Sequence, residues 1–133
     1  MKRRLFLRAV LPYEVNVEAA TRTIVIKGSG QGTTADTLQL IADTVAVFRE
    51  HTGFNLLYNS SALQIASNPN DMMQVAQALF EQSGALIGRM AIVVPESREH
   101  LARMFAALAH PHGVTADVFT HESDARRWLG IER

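Results

Sequence analysis

The alternation of apolar and polar positions begins at Tyr13. In "YEVNVEA", Tyr13, Val15 and Val17 alternate with Glu14, Asn16 and Glu18. A period of two marks a half-buried strand. "TIVIKG" follows, with Ile24, Val25 and Ile26 apolar in a row, which places this second strand more centrally. The link "ATR" is short and polar, as in an antiparallel hairpin. The period then changes. Leu38, Ile41, Val45 and Phe48 recur at helical spacing from a start near Thr33. Thr33 and Asp36 form a capping-box pair, and Gly53 ends the run. Leu40, Thr44 and Val47 make a second stripe on this helix, either further burial or an interface.

"FNLLYN" predicts a third strand and "SSALQIAS" a loop. Asn68 and Pro69 open a second helix that buries Met72, Val75, Ala76, Leu79 and Phe80. "RMAIVV" is continuously apolar, a strand covered on both faces. "PESREHLARMFAALAH" predicts a third helix, capped by Ser97 and burying Leu101, Met104, Phe105 and Leu108. "VTADVFT" alternates again, and "HESDARRWLG" closes with a short helix capped by Thr120 and anchored by Trp128 and Leu129. The order is ββαβαβαβα. A helix between successive strands brings them into parallel register by a right-handed crossover. The expected fold is therefore α/β, a five-stranded mixed sheet with four helices.

Composition narrows the classes. The 133 residues, 47% hydrophobic and 20% charged, fit one soluble globular domain. Lys plus Arg and Asp plus Glu each number 13, so no basic excess exists to neutralise a phosphate backbone. Nucleic acid is therefore not the expected partner. The absence of cysteine rules out disulfides, thiolate metal sites and a cysteine nucleophile, and fits a reducing compartment. In "MKRRLFLRAVLPYE", Arg8 interrupts the apolar run, so the start does not fit a signal peptide. No apolar run has the length of a membrane span. The expectation is a cytoplasmic protein with a basic and apolar arm at 1–12 (mobile arm, extra edge strand or partner contact) and a single domain at 13–133.

Candidate chemistry is sparse. "IKGSGQGTTADTLQLI" puts Gly28, Gly30 and Gly32 between a strand and a helix, the setting of a phosphate cradle. The dinucleotide fingerprint would need glycine where Thr33 stands, and no lysine follows Gly28 in this loop as a P-loop demands. No acid ends "FNLLYN" to hold a ribose. The segment is expected to be a flexible turn, with no nucleotide or other cofactor. His110 and His112 flank Pro111, but with His51, His100 and His121 they match no zinc spacing, so no metal is expected. The Gly-x-Ser-x-Gly elbow is absent, and Asp117 is the only acid inside strands two to five. This argues against an enzyme. Arg98, Arg103, Arg126 and Arg127 on the last two helices, interspersed with Glu99, Glu122 and Asp124, are expected on a solvated face.

The element order resembles the SpoIIAA-like superfamily, which includes STAS domains. The resemblance rests on "YEVNVEAATRTIVIKGSG", "LLYNSSAL", "GRMAIVVPESREHLARMFAALA" and "VFTHESDARRWLG", nearly the whole chain from Tyr13. Anti-sigma-factor antagonists of this type carry Asp-Ser-Ser/Thr-Gly at the start of the second helix, where a serine is phosphorylated. The matching segment here is "IASNPND". Ser67 is the counterpart of that serine, Ala66 stands in the place of the aspartate, and Asn68-Pro69 replaces the rest. Ser67 or Asn68 also suits a plain helix cap. The resemblance implies a non-enzymatic regulatory or protein-interaction module, with Ser60, Ser61 and Ser67 as candidate phospho-regulatory or partner-contact residues. The alternative it implies is a carrier of a small apolar ligand or lipid, as in the related CRAL-TRIO fold, with a pocket near Met72 and Met73. A hydrolase is the third reading, and a homo-oligomer stays open.

Overall fold

The computed structural model describes residues 2–4, 12–65 and 69–131. Among these the sheet has six strands in sequential order: β1 (Lys2–Arg4), β2 (Tyr13–Glu18), β3 (Thr23–Gly32), β4 (Asn55–Ile65), β5 (Arg89–Val93) and β6 (Thr115–Phe119). The first three pair antiparallel, and β3 to β6 run parallel. The five expected strands and four helices are present. The short β1 joins the edge beside β2, so the start of the arm is an extra edge strand.

The helices are α1 (Thr34–Glu50), α2 (Pro69–Ser83), α3 (Glu99–Ala109) and α4 (Glu122–Leu129). The first three share one core with Val15, Ile24, Ile26, Leu56, Met90 and Ile92. The opposite sheet face, Val25, Leu57, Ala91 and Val93, packs on Ala125 and Leu129 of α4. β5 is therefore buried on both faces, which is why its sequence shows no alternation. α4 is held further by Arg89, whose guanidinium lies 3.9 Å over the Trp128 ring and donates to the Trp128 carbonyl at 2.8 Å.

Sequence and structure part in four places. First, "SSALQI" is strand, not loop, and the glycine segment is strand too. β3 and β4 continue together as a two-stranded parallel extension, with Ser29 to Gly32 paired to Ala62 to Ile65. Glycine carries no side chain to show alternation, so the pattern vanished where the strand did not. The register shifts between Lys27 and Ser29, leaving Gly28 opposite both Ser60 and Ser61, a bulge in β4. The Ser61 N–H donates to Asn59 Oδ1 at 3.0 Å, which stabilises that bulge. A Cβ on Gly28 would meet Leu63 Cδ2 at 3.0 Å, and Gly30 has φ +78°. Gly30 thus has a left-handed backbone that favours glycine, and at Gly28 a side chain is admitted only if Leu63 shifts.

Second, Leu38 is 53% exposed and Met104 48% exposed, against their expected burial. The buried side of α1 is turned toward Thr44, Val47 and Phe48, which leaves Leu38 on its flank. The second stripe is thus largely core, with Leu40 packed against it. On α3 the small Ala102 and Ala109 face the sheet most closely, and Met104 falls on the far side of the helix.

Third, Ser97 and Thr120 do not cap helices. A 3-10 turn at Glu96–Arg98 precedes α3, whose N-cap is Arg98, and the N-cap of α4 is His121. The Thr33–Asp36 capping box does form, with both reciprocal bonds present.

Fourth, the arginine face is not uniformly solvated. Arg103 and Arg127 are exposed and paired with Glu99, Asp117 and Asp124. Arg126 turns inward, its side chain only 20% exposed, and bridges Glu18 of β2 and Glu122. Asp43 on α1 is a buried acid outside the strands, accepting from Tyr13 Oη at 2.8 Å and Gln39 Nε2 at 3.0 Å.

Candidate ligand cavity

The alternation of β4 puts the two serines on opposite sides of the sheet, Ser60 with Tyr58 and Ser61 with Asn59. Ser60 is buried on the side of α2 and α3, and Ser61 is exposed on the side of α4. Ser67, with Ala66 and Asn68, lies outside the described residues.

On the Ser60 side there is a cavity of about 70 Å³ between the sheet and the α2–α3 pair. Its apolar walls come from Ile92 and Val94 after β5's alternation, from Met73 in the first turns of α2, and from Leu101, Ala102 and Phe105 on one face of α3. Phe105 is fixed by an edge-on contact with buried Phe80, their centroids 5.6 Å apart. Three polar side chains join this lining, those of Tyr58, Ser60 and Arg98.

Arg98 is placed by β-sheet geometry. The β4–β5 ladder ends at Asn59 and Val93. The Ser60 carbonyl therefore lies past the end of β5, and Arg98 Nη2 donates to it at 2.6 Å. The Ser60 hydroxyl donates to the Val93 carbonyl at 3.4 Å. The Tyr58 hydroxyl makes no hydrogen bond to any described residue. Burial pushes its pKa up to about 12, with the Arg98 charge pulling the other way. The phenol is therefore neutral and able to donate throughout the physiological range.

A second, more polar groove of about 410 Å³ lies where the two strand extensions meet, lined by Lys27, Gly28, Ser29, Asn59, Ser61 and Ala62. Two of its polar side chains, Asn59 and Lys27, are committed to Glu122 beside it. Asn59 Nδ2 donates to Glu122 Oε1 at 3.0 Å, and Lys27 Nζ lies 3.6 Å from the same oxygen. Burial would raise the Glu122 carboxyl, but hydrogen bonds from Asn59 and Arg126 and the Lys27 charge outweigh it and hold the group below its ordinary range.

The glycine segment frames this groove as strand and does not form a cradle loop. Among the described residues no three His, Asp or Glu side chains gather as metal ligands. His51 packs on Phe54 and His112 on Phe80. Among the described residues, no helix is long and apolar enough to cross a membrane.

An open mixed sheet with this order and these layers is a SpoIIAA-like fold. The chain is similar to the crystal structure of an uncharacterized protein from the DUF3478 family with a SpoIIAA-like fold, from Shewanella loihica PV-4. The TM-score is 0.67 over 94% of this chain and 99% of that one, at 17% identity. At that identity the likeness establishes the fold alone. No protein-family model matches the chain, and no curated protein matches it.

The candidates drawn from the resemblance are Ser60, Ser61 and Ser67, with a pocket near Met72 and Met73; Ser60 and Met73 line the cavity, Ser61 lines the polar groove, and Ser67 lies outside the described residues. Tyr58 and Arg98 were missed as a pair. They lie on different elements forty residues apart, and in the sequence Tyr58 looks like strand and Arg98 like a solvated helix.

Proposed function

We propose that the protein is a non-enzymatic binding module that holds a small apolar ligand between α2, α3 and the sheet. The observation that carries this is the cavity itself, walled by Met73, Ile92, Val94, Leu101 and Phe105. Concave, mostly apolar sites with a few polar groups are where small ligands bind. Methionine adds an adaptable wall. Among the described residues no carboxylate or histidine lines the cavity, and its phenol stays protonated, so none of them supplies a general base there, which supports binding over catalysis. Ser60 supports the same choice over the regulatory module, because its hydroxyl is turned inward to Val93.

Native mass spectrometry of protein purified from its source tests this. A retained small molecule, released on denaturation, is expected. A ligand-free chain that co-purifies with a stoichiometric protein would instead favour the regulatory module. That second reading has one observation of its own, exposed Leu38 on α1. If Leu38 docks a protein partner, Leu38→Asp abolishes co-purification and leaves the thermal midpoint unchanged.

A further inference from the structure

We infer that the ligand is a short anionic amphiphile, an alkyl carboxylate whose head group is held by Arg98 and Tyr58. This rests on the cavity reading above and specifies the chemistry of the same site.

Arg98 is the half-buried cation of the cavity wall. Its one hydrogen bond goes to a neutral carbonyl, that of Ser60. It makes no ion pair with any described residue. Glu99, the adjacent acid, is taken by Arg103 through two contacts, the shorter 2.9 Å, and Glu96 is exposed. A guanidinium has five N–H donors, so most of Arg98's remain uncommitted. Tyr58 adds an uncommitted neutral hydroxyl on the same wall, near enough to feel the Arg98 charge. Two donors and a positive charge beside apolar walls match a carboxylate on an alkyl chain. Charge-assisted bonds of this kind are roughly twice as strong as neutral ones. The Ser60 carbonyl orients the guanidinium before any ligand arrives, which lowers the ordering cost of binding. A cavity of about 70 Å³ is well below the several hundred of drug-sized sites, so the chain is a few carbons long.

The test is a titration of methyl-labelled full chain with hexanoate and, separately, with 1-hexanol, followed by NMR. Hexanoate should bind at least about tenfold tighter than 1-hexanol, with shifts at Ile92, Val94 and Leu101. Arg98→Met should bring the two affinities within about twofold while leaving 1-hexanol binding unchanged. Arg98→Lys should keep part of the preference, and Tyr58→Phe should weaken hexanoate several-fold but not 1-hexanol. Thermal unfolding of each variant checks the fold. If Arg98→Met fails to fold, the wild-type comparison and Tyr58→Phe still decide. Equal wild-type affinities, or a preference that survives Arg98→Met, would overturn the head-group assignment while leaving the apolar cavity standing. Binding of neither probe would remove both.

Discussion

A side chain on Gly28 fits only if Leu63 shifts, since its Cβ would lie 3.0 Å from Leu63 Cδ2. Gly28→Val would drive a branched side chain into Leu63 across the bulge, at a cost of about 1–3 kcal/mol. Urea unfolding should show this as a lower midpoint at unchanged slope, and an unchanged midpoint would mean that Leu63 simply moves aside. The buried Asp43 belongs to the same scale. Tyr13→Phe removes one of its two hydrogen bonds, and removing a partner from a buried charged acceptor costs about 1.5–3 kcal/mol. Neither feature shows in the local pattern. Gly28 has no side chain to betray its partner, and Asp43 looks like a polar helix position until Tyr13, thirty residues away, is placed above it.

At the scale of elements, whatever a local period or cap governs is legible. The capping box at Thr33 is an example, and Thr33→Ala should cost about 1 kcal/mol by thermal or urea unfolding. The β3–β4 extension was hidden because its strands pair with each other across a helix, and backbone pairing leaves no trace in a glycine-rich segment. The docking of α4 was hidden similarly, since Arg126 and Glu122 look like ordinary surface charges until Glu18, Asn59 and Lys27 surround them. Their grouping has a pH signature. The folded Glu122 carboxyl titrates below its unfolded value near 4.5, so its contribution is fully present above that value. It is lost as pH falls through the lower folded value. Between about pH 7 and about pH 3 the wild type should lose stability more steeply than Glu122→Gln. Parallel curves would show that Glu122 contributes nothing to α4 docking.

At the scale of the molecule, element order was enough to reach the SpoIIAA-like fold, because alternating strands and helices leave few topologies. The cavity was not legible as a set of residues. It needs β4 to turn Tyr58 and Ser60 to one side, β5 to end at Val93, and α3 to sit close through Ala102 and Ala109. Only then do Tyr58, Met73, Arg98 and Phe105 share one space. The functional claim therefore stands or falls on that space. The most direct measurement is whether 1-hexanol, which has no charge to be steered, enters it in the methyl-labelled chain. Shifts confined to Met73, Ile92, Val94 and Leu101, and abolished by Leu101→Trp in a variant that still unfolds cooperatively, are the predicted result. No saturable shift, or shifts scattered over residues outside the α2–α3 seam, would contradict a ligand-binding cavity.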